Sequence, residues 1–261
     1  LNFTYFNING ITTKKESLIK YLLDKNIDIM FLNETNFNEE NEEHKKWCID
    51  RSLYIVDYEM YRSDKKDLLK GGNAILIKPN IKHEIIPIQS EKDSILKNVI
   101  AIRIFSKLHN YVFINIYIRP KCENEKGEKM DYRLIRSKLS NELNYLFKRG
   151  ESVIIAGDFN SKHNNWNHWN GGDYTKKPNT NGTALKIYLN NNKDIKLATP
   201  KTFTFEPSAK NYKKSIIDLA LHKNIVLEDP KTSKEIKSDH RLVSTVIRLR
   251  ENDIIELENI K

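Results

Sequence analysis

The chain has 261 residues, 39% hydrophobic and 30% charged, a composition that can bury a sizeable core and argues against wholesale disorder. Lys and Arg number 44 against 35 Asp and Glu, and the formal charge of +9 points toward a polyanionic partner, although a Lys-rich surface also serves solubility alone. The two cysteines, Cys48 and Cys122, exclude a disulfide framework and a thiolate zinc site, and no apolar run approaches a membrane span.

In chain order, β-rich runs at 2–8, 28–32, 74–78, 99–105, 111–118, 152–156, 215–221 and 241–249 read as strands. Leu18, Ile19, Leu22 and Leu23 share a helical face, as do Leu134, Ile135, Leu139, Leu143, Leu146 and Phe147, with Gly150 at the expected helix C-cap. A third helix is expected over 183–189 and a more polar one over 39–49. Strands and helices mix throughout, with short connections between strand pairs. The expected fold is therefore a four-layered α/β sandwich of two packed mixed sheets flanked by helices. One domain over 1–250 and a polar tail over 251–261 are expected. Leu1 in place of Met suggests a domain excised from something longer, and the absence of a basic-then-apolar leader suggests a soluble intracellular protein with no membrane partner.

Polar residues collect where apolar strands end. Ile29–Leu32 runs into Asn33-Glu34-Thr35, and Val153–Ala156 into Gly157-Asp158-Phe159-Asn160, where period two places Asp158 and Asn160 on one face. Ile216-Ile217 precedes Asp218, and Ser238-Asp239-His240 precedes the final strand. One acidic residue after a strand is usually a turn or cap. Four together, with Asn7, Asn9 and Tyr117, form a set suited to phosphodiester hydrolysis: carboxylates for Mg²⁺, amides for phosphate or water, and a histidine for charge or proton transfer.

Phe6-Asn7-Ile8-Asn9-Gly10, Asn33-Glu34-Thr35, Asn115-Ile116-Tyr117, Gly157-Asp158-Phe159-Asn160, Ile217-Asp218-Leu219 and Ser238-Asp239-His240 resemble, in order and approximate spacing, the motifs of the exonuclease-endonuclease-phosphatase superfamily. Residues 157–166, GDFNSKHNNW, with Asn181-Gly182-Thr183 and Gly71-Gly72-Asn73-Ala74-Ile75, are similar to the apurinic-like endonuclease domains of Jockey- and R1-type non-LTR retrotransposons. Ile216-Ile217-Asp218-Leu219 departs from the Arg-Ile-Asp-Tyr usual in the repair enzymes.

The resemblance implies a DNase I-like fold and a DNA endonuclease that nicks one strand, leaving a 3′-hydroxyl that primes reverse transcription. Glu34 is then the principal ligand for Mg²⁺ or Mn²⁺, with Asn7 or Asn9, and Asp239 through water. His240, oriented by Asp218, meets the scissile phosphate. Asp158 positions or deprotonates water, Asn160 holds the phosphate or that nucleophile, and Tyr117 donates to a phosphate oxygen or simply packs at a strand end. Arg119 pairs with a backbone phosphate or caps the site's own carboxylates, and Lys210, Tyr212, Lys213 and Lys214 line a hairpin that contacts DNA or is plain solvated loop. His163, Trp166 and Trp169 either wall the DNA or brace their loop. The implied partners are double-stranded DNA and a reverse transcriptase domain in the same parent polypeptide, the implied location is the nucleus, and the isolated domain is expected to be a monomer. Other readings are an abasic-site repair nuclease, a lipid or inositol phosphatase, and a relic that binds DNA without cutting it.

Overall fold

The computed structural model describes residues 1–37, 55, 57–64, 71–89, 94–120, 130–167, 177–207 and 213–258. The helix expected over 39–49 lies outside them. Thirteen strands form among these residues: β1 (Asn2–Asn7), β2 (Ile29–Asn33), β3 (Glu59–Ser63), β4 (Asn73–Ile77), β5 (His83–Ile86), β6 (Leu96–Phe105), β7 (Asn110–Ile118), β8 (Ser152–Asp158), β9 (Lys196–Ala198), β10 (Asp218–Lys223), β11 (Val226–Leu227), β12 (Lys231–Ser233) and β13 (Leu242–Arg248). The described α-helices are α1 (Lys15–Asp24), α2 (Tyr132–Phe147) and α3 (Thr180–Asn191).

The first sheet runs β11-β13-β1-β2-β4-β3, with β12 also on β13, and the second runs β5-β6-β7-β8-β10-β9. Strand periodicity sorts side chains between layers. In β8, Ile154 and Ala156 face the first sheet, joining Phe3, Tyr5, Phe31, Ile75 and Phe113 in the inter-sheet core. Val153 and Ile155 point the other way, onto Leu139 and Leu143 of α2 and Leu185 and Tyr188 of α3. Leu18, Tyr21 and Leu22 of α1 cover the outer face of the first sheet through Phe6, Met30 and Leu76. The result is the helix-sheet-sheet-helix sandwich expected from the sequence, a DNase I-like architecture of two packed mixed sheets.

Several local expectations differ in instructive ways. Leu23 and Leu134, placed on buried helix faces by the pattern, are 52% and 45% exposed, because the apolar stripe is narrower than the sequence suggests. Helix α2 ends at Lys148 with ordinary right-handed backbone. Gly150 is not its left-handed cap; it serves packing, since a Cβ there would come within 2.7 Å of Val112. The stretch expected as a tail from 251 does not hang free: as far as 258 it folds back on the second sheet, with bridges Ser106 to Ile255 and Ile81 to Leu257. Buried Asp253 anchors it, accepting from the Ser106 and Tyr111 hydroxyls at 2.7 Å each and from Leu108 N at 3.0 Å.

Two parallel pairs set the position of the site. β1 runs beside β2, and β7 beside β8, each pair crossing over through a helix, so the four strands finish at one end of the sandwich. Their last residues are Asn7, Asn33, Ile118 and Asp158.

Candidate active site

Where the sheets meet at this end, the core changes from apolar side chains to amides. Asn33 is fully buried and joins both sheets: its Nδ2 reaches Asn73 Oδ1 and Asn115 Oδ1 at 2.9 Å and the Ile116 carbonyl at 3.0 Å. Its Oδ1 accepts from Asp158 N at 2.8 Å. Asn115 returns the cross-link, donating to the Leu32 and Ala74 carbonyls. Each amide thus satisfies main-chain groups of the opposite sheet, and removing one leaves several buried partners unpaired. Gly157 is required here: its φ is +140°, and a Cβ would come within 2.1 Å of the Ile116 carbonyl oxygen.

On this frame sit three buried ionisable groups. Asp158 is 1% exposed; it accepts from Asn7 Nδ2 at 3.0 Å and from Asn160 N at 2.9 Å. That last contact is local: β8 ends at Asp158 and Asn160 lies beyond it with φ of +46°, so the two meet through a side-chain-to-backbone bond and not by strand alternation. Asp218, opposite Asp158 in the β8/β10 register, holds His240 Nδ1 at 2.8 and 3.1 Å. Thr204 Oγ1 fixes the Asp218 backbone by accepting from Ile217 N and Asp218 N. His240 Nε2 looks toward Asp158 Oδ2 at 3.8 Å. Burial alone would push the imidazole down, but Asp218, Asp158 and Asp239 together override it and hold it up at about 9. Asp158 is shifted upward, first by burial and then by the Asp218 charge. Ligand atoms of Asp158, Asp218 and His240 lie within 4.8 Å of one another, a grouping able to hold a metal ion.

A second, more open group adjoins the first. Glu34 is half-buried, directly after β2, in left-handed backbone with φ of +51°, an uncommon conformation for a residue with a side chain. Tyr117 on β7 is hydrogen-bonded to Glu34 and Asn160. Burial, then the Glu34 and Asp158 charges, push its hydroxyl well above the usual phenol range, so it remains a donor. Asn160 Nδ2 also reaches the Ile118 carbonyl at 2.9 Å. Across the cleft, exposed Asn9 reaches Asp239 Oδ1 at 3.3 Å, and Asn7 Oδ1 accepts from Asn9 N at 3.1 Å. These are hard oxygen donors, suited to Mg²⁺ or Mn²⁺. The structure therefore brings together Asn7, Asn9, Glu34, Tyr117, Asp158, Asn160, Asp218, Asp239 and His240.

The residues expected on the DNA side are more dispersed. Arg119 follows β7, its carbonyl held by Asn181. Lys214 pairs with Glu206 and lies 4.4 Å from the Phe203 ring centre, while Lys213 is exposed. Lys210, Tyr212 and Trp169 lie outside the described residues. Trp166 is buried, stacks on His163 at 5.1 Å and donates to the Ser161 carbonyl, which supports the bracing role for both. Sequence reasoning missed Asn73, Thr204, Lys14 and Lys162. Lys14 clamps the Ile8 and Asn9 carbonyls beside Asp239 and Glu34. Asn73 carried a signal, since an amide opening an apolar strand directly after two glycines is out of place on a surface.

Comparison with known proteins bears on the fold and the family. The protein-family model described as endonuclease-reverse transcriptase matches residues 111–244, from β7 to β13. The RNA-directed DNA polymerase from mobile element jockey of Drosophila melanogaster is 23% identical over 167 residues, covering 64% of this chain. The aligned part is 15% of that relative's length. Among solved structures, the endonuclease domain of TRAS1, a telomere-specific non-LTR retrotransposon, superposes with a TM-score of 0.68 over 96% of this chain and 99% of its own, at 14% identity. The AP endonuclease LMAP from Leishmania major gives 0.66 over 94% and 86%, at 12% identity. Similarity that low speaks for the fold, whereas the family match, over just more than half of the sequence, speaks for descent: this chain belongs to the endonuclease-reverse transcriptase family.

Proposed function

We propose that this domain is a metal-dependent endonuclease that nicks one strand of duplex DNA by hydrolysis, leaving a 3′-hydroxyl for a reverse transcriptase domain of the same parent polypeptide to extend in the nucleus. The observation that carries this reading is the chain of contacts Glu34, Tyr117, Asn160, Asp158, His240, Asp218, drawn from both sheets into one cleft. The relative's printed name, an RNA-directed DNA polymerase, supports the link to reverse transcription.

Each group has work suited to its surroundings. Glu34, with Asn9, Asn7 and Asp239, would hold the metal. A bound Mg²⁺ or Mn²⁺ supplies charge neutralisation at the phosphate and at the departing oxygen. The Asp158, Asp218, His240 cluster would be the lesser metal site, because His240 Nδ1 is already tied to Asp218 and Asp158 already accepts from Asn7 and Asn160. As imidazolium, with Nδ1 tied to Asp218, His240 presents Nε2 to a non-bridging phosphate oxygen. Asp158, shifted toward neutrality, positions the attacking water and takes its proton as the new P–O bond forms and the bond to O3′ breaks. Asn160 orients that water, and Tyr117 donates toward the phosphate. Arg119, Lys213 and Lys214, together with Lys210 and Tyr212, bind flanking backbone.

Relaxation of supercoiled plasmid tests this. Wild type with Mg²⁺ should produce nicked circles and none in EDTA, and Glu34→Ala or His240→Ala should slow nicking by two or more orders of magnitude. Equal rates for wild type and both variants would refute the assignment.

A further inference from the structure

Lys162 lies in the loop after Asn160, half-buried, and its ammonium has no hydrogen-bond or ion-pair partner among the described residues. It lies 5.8 Å from the centre of the Phe205 ring, and that ring lies 4.9 Å from the His240 ring. Asp158 is close enough to act on it electrostatically. Surface lysines swing freely, but this one is held at its root. Its N–H donates to Asn179 Oδ1 at 2.9 Å and its carbonyl accepts from Asn179 N at 3.1 Å. Gly182 in the first turn of α3 packs so closely that a Cβ there would come within 2.0 Å of the Lys162 carbonyl oxygen. The same Asn179 caps α3, donating to the Asn160 carbonyl at 2.7 Å and accepting from Gly182 N at 2.8 Å. Hydrogen bonds therefore tie the start of α3, the loop at Lys162 and Asn160 together, and Lys162 is the cationic edge of that group.

A half-buried ammonium without a counter-ion is costly unless something anionic arrives. Protein carboxylates nearby are already engaged: Asp158 by Asn7 and Asn160, and Glu206 by Lys214, Lys234 and Arg241. Asp158 acts on Lys162 without forming a direct ion pair with it, which leaves the ammonium open to an anion from outside. We propose that Lys162 forms a phosphate subsite beside the His240 and Asp158 groups, receiving the backbone phosphate of the bound strand that adjoins the one being cut. The inference rests on the endonuclease reading for the word "cut", but its binding component stands separately. The Phe205 ring, 5.8 Å from the ammonium, itself favours a cation at this position.

The test is duplex binding by the purified chain in EDTA, followed by fluorescence anisotropy across a range of KCl concentrations, for wild type, Lys162→Met and Lys162→Arg, with melting temperatures recorded. Losing one phosphate contact should weaken binding roughly tenfold near 0.1 M salt and flatten the slope of log K against log salt by about one unit. Lys162→Arg should restore both. If Lys162→Met binds with wild-type affinity and slope, the proposal is wrong. It is equally wrong if the slope is unchanged while nicking alone falls and its pH profile moves, since Lys162 would then only offset Asp158. Should wild type bind but never nick under Mg²⁺, and Lys162→Met still flatten the slope, the subsite holds and the endonuclease reading fails.

Discussion

The two ends of the sandwich each bury an aspartate, and the two residues behave in opposite ways. Asp253, at the closed end, is surrounded by donors: the Tyr111 and Ser106 hydroxyls and the Leu108 and Ile254 N–H groups. Burial works against its charge, but these donors outweigh it and hold the carboxyl below its ordinary value. Asp158, at the open end, has Asn7 and Asn160 as donors, yet burial and the neighbouring Asp218 prevail and it is shifted upward. A carboxylate whose surroundings favour its charge is a structural fastener. One whose surroundings oppose its charge holds a proton-accepting capacity near neutrality, at a cost to stability that a purely structural residue would not carry.

The contrast is broken most strongly by removing charge at each end. Asp158→Asn should lower nicking by roughly 10²-fold to 10³-fold while leaving the melting temperature unchanged or higher, because the lost charge was disfavoured where it sat. Asp253→Ala should leave Mg²⁺-dependent nicking nearly intact below the transition but cost about 2 kcal/mol, because the Ser106 and Tyr111 hydroxyls lose their acceptor. Calorimetry would then show a melting point lower by roughly 4–8 °C.

Acid and alkali separate the ends further. The His240 imidazole is raised from 6.5 to about 9, so its contribution is complete below pH 6.5 and is lost as pH rises through 9. Asp253 is lowered from 3.8, so its contribution is present above 3.8 and fades as pH falls below that value. In EDTA, the melting difference between wild type and His240→Gln should shrink from pH 6 to pH 9.5, and that between wild type and Asp253→Ala should shrink only in acid. A His240→Gln difference that grows with pH would show the imidazole to be neutral when folded.

The smallest effect sharpens the same point. The Tyr5 hydroxyl is fully buried beside Asp218 and has no hydrogen-bond partner among the described residues. Tyr5→Phe should change stability by less than about 1 kcal/mol in either direction, since no bond is lost. A large loss on thermal melting would mean that the hydroxyl supports Asp218.

Much of this was legible in the sequence, for a physical reason. Central strands such as β1, β2, β7 and β8 are mostly apolar because helices or the partner sheet cover both faces, and the polar residues at their ends stand out against that background. The strand β3, Glu-Met-Tyr-Arg-Ser at a sheet edge, and the short β5, β9, β11 and β12 carry too little apolar pattern to be seen. β6 begins three residues before the expected start because a bulge, with Asn98 at φ of +52°, interrupts its alternation. Motif residues were readable one by one, but Asn33 as the buried cross-link, and Thr204 behind Asp218, depend on which strands become neighbours. No local pattern encodes that.

The most direct test of the central claim compares Asp158→Asn with Asp253→Asn in the Mg²⁺ plasmid-nicking assay, at a temperature where both are folded by circular dichroism. The expected result is loss of nicking at the open end only, with the closed-end variant cutting at close to the wild-type rate. Equal loss in both, or a fully active Asp158→Asn, would contradict the assignment of catalysis to the strand ends where Asp158 lies.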